Sequence, residues 1–426
     1  VEVGVVTFIV EVGFTAGAGV DPSYLRLDDP VAGLLDVGLL APDGLFTDLS
    51  TNSDGQSRVM DFTVDRSSSQ GAGALVEYAA GTLSLTLLDD NGDLDPANIA
   101  EPIPGVAIQF SKVWAGNVYP LFTGTIDSWE PEHRYPDQAV IQVTATDNLG
   151  KVGGYSSDET AAVGASDLAG ARINRFLDAI VWPTGQRDID TGTVTLSATS
   201  LEGNTLDNLR NTAQAEVGQL YATAGGDIRF VDRKGLILDA ASLTVQATFG
   251  SNRAAGELPW AGMLGISYSK DQLINLIRAQ RDGGTTVFES SDEESRSRYG
   301  DHSPGQFTLP LETDDQVSAW TDYVRARDSR PKLVFTDVTI DVRADEDNLY
   351  PQVLTRDFGD RIAVVRRPPG VAADTREAYI RGIHHSFQAP LQWQTRWELE
   401  PASTDSPFIL DDAVRGLLDN ANVLAY

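Results

Sequence analysis

The chain has 426 residues, more than one hydrophobic core of roughly 250–300 residues organises, so two or more domains are expected. Asp and Glu total 62 against 32 Lys and Arg, a formal net charge of −30. That balance excludes the basic surface by which proteins neutralise nucleic-acid phosphates, and it opposes docking on anionic membranes. With no cysteine and four histidines, disulfide scaffolds, thiol catalysis and Cys-ligated zinc are excluded, and a zinc enzyme is not expected.

The first residues, VEVGVVTFIVEVGF, lack a basic segment and carry Glu2 and Glu11, so they do not read as a signal peptide. No run approaches the roughly 20 apolar residues that span a bilayer. Residues 1–55 read as an N-terminal accessory region, β-prone from Val3 to Phe14 and loop-rich from Pro22 to Asp48. From Arg58 the pattern changes. Residues 56–150 hold short β-prone runs at 59–66, 82–89, 106–110, 119–129 and 139–147. The alternation of Leu83, Leu85 and Leu87 with Thr82, Ser84 and Thr86 is that of a half-buried antiparallel strand. Five such runs at hairpin spacing predict a small β-barrel or sandwich, the first of the expected barrel domains.

Residues 151–262 read as an α/β insert. A Gly/Ser/Ala-rich linker at 150–165 leads to a helix over 166–181, capped by Ser166, with Leu168, Ala171, Phe176, Leu177 and Ile180 on its apolar face and Trp182-Pro183 at its end. A second helix is predicted over 205–217, with Leu206, Leu209 and Ala213 inward, and a hairpin over 219–233 turning at Gly225-Gly226. The β signature returns in residues 263–403, a second barrel with a hairpin at 273–290, a helix at 314–327 and strands at 332–344, 360–367, 378–387 and 391–401. Residues 404–426 form a C-terminal tail with a short helix over 411–424. The expected class is mainly β with an α/β insert: two similar antiparallel β-barrels plus an accessory domain.

An internal repeat underlies that reading. Gly105 is followed by Ile108 and Phe110 as Gly359 is followed by Ile362 and Val364. Downstream, Gly124 with Trp129 five residues on corresponds to Gly382 with Phe387 five residues on. A central glycine in a strand marks a bulge or barrel corner.

The sequence offers no catalytic template: there is no G-x-S-x-G, H-E-x-x-H, Walker loop or dinucleotide fingerprint. His384 and His385 fall in a strand, so their rings face opposite sides and cannot pair on one metal. Asp89, Asn91, Asp93 and Asp95 resemble the start of a calcium loop, but Leu94 stands where the loop needs glycine and no glutamate closes it, so a turn ending a strand accounts for them. Glu293-Glu294 and Asp314-Asp315 read as turn or helix-start charges rather than a glycosidase pair. No catalytic, metal or cofactor residue is assigned.

Several strings together carry a resemblance. FTVDR (62–66), GTLSLTLLD (81–89), DPAN (95–98), LFTGTIDSW (121–129), ATD (145–147), IDTG (189–192), AEVGQLY (215–221), DIRFVDR (227–233) and WQTRWEL (393–399) occur in order. Over roughly residues 55–400 the chain resembles the minor tail proteins of long-tailed phages of actinobacteria, a group similar to tail-tip or baseplate hubs. The resemblance implies two tail-tube-like barrels per chain and a homotrimer, so that three chains give a pseudo-sixfold ring closing or extending the tail tube. It implies a non-enzymatic virion protein at the tail tip, assembled in the host cytoplasm without a cofactor. Its implied neighbours are a distal tail or tail-tube protein, the tape measure protein, and a central fibre or other tip proteins. DNA passes such a ring during ejection, and an acidic wall would repel it over a Debye length of about 8 Å. The alternative is an extracellular carbohydrate- or receptor-binding β-protein, raised by the many strands and seven Trp. A hydrolase with an unrecognised site is a third reading.

Overall fold

The computed structural model describes residues 8–13, 46–52, 54–70, 75–99, 104–135, 138–268, 273–331, 333–389, 392–402, 406–407 and 422–423. Thirteen strands form its main sheet. They are β1 (Phe8–Gly13), β2 (Phe46–Asp48), β3 (Val59–Arg66), β4 (Thr82–Leu88), β5 (Ala107–Trp114), β6 (Asn117–Arg134) and β7 (Gln138–Asp147). Then follow β8 (Ala247–Phe249), β9 (Ala261–Tyr268), β10 (Leu333–Asp341), β11 (Arg361–Arg366), β12 (Asp374–Gln388) and β13 (Gln392–Pro401). The spatial order is β9-β10-β13-β12-β3-β4-β7-β6-β5-β1-β2, with β11 beside the first part of β12 and β8 parallel to β11.

Two sets of five strands share one connectivity. In chain order β3, β4, β5, β6, β7 lie as β3-β4-β7-β6-β5, and β9, β10, β11, β12, β13 lie as β9-β10-β13-β12-β11. The fold is mainly β, as expected, but the sheet does not close into two barrels. β3 pairs with β12 of the other set, from Ile383↔Arg66 to Gln388↔Asp61, so the hydrogen-bonding edge of one set is satisfied by the other. Alternation specifies which face of a strand is buried; it does not specify the strand that pairs with it. One core serves both sets. Phe8, Phe62, Phe110, Phe387 and Trp393 meet at its centre, with ring centroids 4.7–6.0 Å apart. The alternation in β4 buries Leu83, Leu85 and Leu87, while Thr86, which is also buried, donates its hydroxyl to Asp61 and Gln142.

Several other elements differ from the sequence reading. The N-terminal region is not wholly accessory, because β1 pairs with β5 and buries Phe8, Val10 and Val12 in the main core. The expected linker begins as a helix, α1 (Asn148–Gly153), because Asp147 caps it by accepting the Leu149 and Gly150 amides. Helix α2 (Ala169–Ala179) starts later than predicted. Ser166 is not its cap; it lies at positive φ and donates to Glu312, while Asp167 pairs with Arg172 and Arg175. Helix α3 (Thr205–Glu216) is capped by Asn204. Helices α2 and α3 cover the sheet of Arg187–Ile189, Gln219–Ala222 and Ile228–Val231, burying Ile173, Phe176, Leu209 and Phe230.

The hairpin of Leu276–Arg281 with Val287–Ser291 and the helix α4 (Asp314–Asp328), expected inside the second barrel, pack elsewhere. Val317, Trp320 and Val324 of α4 join Leu196 and Val217 of the insert in a core of their own. A helix not anticipated, α5 (Glu346–Thr355), lies between β10 and β11 and sets Leu349 and Val353 on the main core. Residues 404–426 fall mostly outside the described residues, as does the loop-rich stretch of the N-terminal region. Of the predicted tail helix only 422–423 is described, as a strand parallel to 406–407.

Candidate assembly surface

The first glycines of the two repeat copies, Gly105 and Gly359, lie at one kind of turn. Gly105, at φ +92°, donates its amide to the Ile126 carbonyl at 2.8 Å, and the Ile126 amide returns to the Val106 carbonyl at 2.8 Å. Gly359, at φ +85°, donates to the Ile380 carbonyl at 3.0 Å, and the Ile380 amide returns to Asp360 at 3.0 Å. A side chain at either glycine would be strained at that φ. Directly beyond, both long strands slip register against their neighbour, between Ile126 and Ser128 on β6 and between Ile380 and Gly382 on β12. Ile108 and Ile362, three residues after each glycine, are fully buried.

The downstream pair falls differently. With Ile126 matched to Ile380, Ser128 corresponds to Gly382 and Trp129 to Ile383. Gly124 precedes its bulge and sits opposite Ile108 and Asp147, where a Cβ would lie 2.2 Å from the Thr146 carbonyl. Gly382 follows its bulge opposite Glu398. Trp129 is buried and donates Nε1 to the Leu94 carbonyl at 2.9 Å, whereas Phe387 sits in the aromatic centre against Phe62. Equal spacing in sequence therefore skips across the bulge.

Polar groups brace the joint between the sets. His384 lies between Asp65 (2.9 Å) and Glu398 (3.0 Å). Burial alone would lower its pKa, but these two carboxylates outweigh that and raise it to about 9. His385, on the other face, bonds Thr395, and burial pushes it down to about 3. Arg66 at the end of β3 reaches Asp357 and the Ala222 carbonyl, and its guanidinium lies over the Phe358 ring. Glu400 on β13 accepts from Arg381 and from Arg327 of α4. Burial would raise the Glu400 carboxyl, but the two guanidiniums hold it below its ordinary value. Sequence spacing did not mark this network, because its members are far apart in the chain.

The remaining candidates resolve into structure. Arg58 sits among the acidic residues of the calcium-like turn, 3.0 Å from Asp93 and 3.9 Å from Asp89, whose carboxylate accepts the Leu94 amide. Glu293-Glu294 and Asp314-Asp315 occupy first helical turns, capped by Asp292 and Thr313, where carboxylates complement the helix dipole.

Besides the outer side of β2, which ends the strand order, two further sheet margins lack a neighbouring strand among the described residues. β9 pairs with β10 on one side, and among the described residues no strand lies on its other side. It presents Met263, Ile266 and Tyr268, 87%, 40% and 69% exposed. β6 carries β7 along its whole distal half, but β5 ends against Thr125. Past Ile126, no strand among the described residues lies on that side.

No protein-family model matches the sequence, and no curated protein does. Solved structures do. The 43 kDa tail protein of prophage MuSo2 from Shewanella oneidensis is 13% identical, covers 93% of this chain and 98% of its own, and superposes with a TM-score of 0.52. The tail protein from Neisseria meningitidis MC58 is 11% identical, covers 92% of this chain and 96% of its own, and gives a TM-score of 0.56. Over nearly its whole length the chain has a fold similar to that of these two tail proteins.

Proposed function

We propose that the chain is a structural subunit of a long-tailed phage, a tail-tip hub of which three copies form a ring that extends the tail tube. The observation that carries this reading is the doubled strand order with its repeated turn and bulge. Two equivalent sets per chain give a threefold assembly six equivalent positions, which matches a threefold tip to a sixfold tube. The fold similarity to two tail proteins supports it, and the resemblance of the ordered strings to actinobacteriophage minor tail proteins favours that phage type. The distal tail or tube protein, the tape measure protein and a central fibre are the proposed neighbours, in a virion assembled in the host cytoplasm.

Charge supports passage of DNA through the ring. The chain carries −30, and most described arginines are already held in ion pairs such as Arg58–Asp93, Arg229–Asp190 and Arg367–Glu257. A wall of this composition repels phosphate instead of retaining it. The alternative sugar- or receptor-binding reading calls for exposed aromatic platforms. Trp129, Trp182, Trp320, Trp393 and Trp397 are buried, and Trp114 and Trp260 are half-buried. Imaging of the assembled particle tests the proposal. Three copies around an open, non-basic channel are expected; a copy number other than three, or a position outside the tail axis, overturns it.

A further inference from the structure

The joint inside the chain is a template for a joint between chains. Within one molecule, β3, the first strand of the first set, pairs with the distal part of β12, the fourth strand of the second set. The reciprocal pairing would set β9, the first strand of the second set, against the distal part of β6, the fourth strand of the first. Both margins carry no strand among the described residues, as is also true of the outer side of β2 at the other end of the sheet. Among the described residues β9 pairs only with β10, and β6 only with β5 and β7, so this joint is not made within one molecule.

We infer that β9 of one copy pairs antiparallel with the distal half of β6 of a second copy, head to tail. This inference rests on the ring reading and names its interface. The correspondence gives a register. Matching Trp129 to Ile383 matches their partners Val143 and Trp397, and in turn Leu85 and Val338. That step carries Thr82 onto Phe335, and their partners are Asp65 and Ile266. Ile266 therefore stands where Asp65 stands, and Glu130 where His384 stands. Since Asp65 and His384 face each other within the chain, Ile266 and Glu130 face each other between copies. Exposed apolar side chains on a strand with one free edge invite such pairing, and a heterologous contact closes into a ring when its rotation divides the full turn, as the threefold ring reading requires.

One feature of β6 limits the joint to a specific partner. The Ala389 amide donates to the Met60 carbonyl at 2.7 Å, so alternate residues back along β12, His385 among them, direct their amides toward β3. Pro131 occupies the position of His385 on β6 and has no amide to donate. It removes one ladder bond, a common protection of edge strands against stray pairing.

The test uses the full chain, which has no native cysteine. Facing residues across antiparallel strands have Cβ atoms about 4.5–5.5 Å apart, close enough for Ile266→Cys and Glu130→Cys to be joined by oxidation. The double variant should give covalent oligomers ending in a trimer, and neither single variant should give a linked dimer. Tyr268→Asp added to the double variant should lower the linked fraction about tenfold or more without changing Tm, because Tyr268 is exposed. The inference is overturned by linking of either single variant, or by no linking of the double variant at about 1 mM, where even a joint with a Kd of about 1 mM is substantially populated. Failure of the joint and failure of the ring separate cleanly. Particles with three copies but an unlinked double variant retain the ring and discard this interface; a different copy number discards the ring.

Discussion

Phe62 and Phe387 sit directly opposite each other across β3 and β12, with their rings stacked at 5.4 Å. They come from different strand sets, and their contact makes the two sets one cooperative body.

Phe387→Ala should therefore destabilise the whole sheet. Truncating a buried aromatic costs about 3–5 kcal/mol. Urea denaturation should show one transition at a lower midpoint, and Phe62→Ala combined with it should cost less than the sum of the two, because they share one cavity. Two separate transitions would mean that the sets fold independently.

Glu400→Gln should cost about 3–5 kcal/mol, since it removes the counter-charge of the buried Arg381 guanidinium. The folded-state pKa of Glu400 lies below its ordinary 4.5. Its contribution is therefore complete above pH 4.5 and is lost as pH falls through the lower folded value. Denaturation midpoints between pH 3 and pH 7 check this: the gap between wild type and variant should narrow on acidification.

His384 has the opposite dependence. Its pKa rises from 6.5 to about 9 on folding, so its contribution is complete below pH 6.5 and is lost as pH rises through 9. Asp65 is half exposed, so solvent screening reduces the effect to about 1–2 kcal/mol. His384→Gln should lower Tm relative to wild type at pH 6, and the two should converge by pH 10.

Gly124→Ala should cost about 2–4 kcal/mol, because its Cβ would be driven into the Thr146 carbonyl and the β6–β7 backbones must part. Gly105→Ala, with open space around it but φ of +92°, should cost about 1–2 kcal/mol. Thermal melts of the two variants check the order.

Phe176→Asp should place an unpaired charge in the core under α2 and α3, at a cost of at least about 3 kcal/mol. Hydrogen exchange should rise first in Gln219–Ala222 and Ile228–Val231, while β3, β4 and β12 stay protected. Equal exchange everywhere would mean that the insert and sheet unfold as one.

The sequence by itself determined the class of the fold and the position of most strands. Period-two alternation in 82–88, 138–147 and 392–401 is local and survives any choice of neighbour. The same holds for the apolar stripes of α2, α3 and α4. It did not reveal α1, because Asp147 acts as a strand residue and a helix cap at once, nor α5, whose Pro351 obscures the helical pattern. Tertiary structure alone decided which strands pair. Hydrogen-bonding edges are alike along every strand, so only packing of Phe8, Phe62, Phe110, Phe387 and Trp393 into one core could bring β3 to β12 and draw β1 into the sheet. The same packing gathered Glu400, Arg381, Arg327 and Tyr78, residues separated by up to 322 positions, into one buried network. Their proximity is a property of the folded chain, because no local pattern records a contact between residues so far apart.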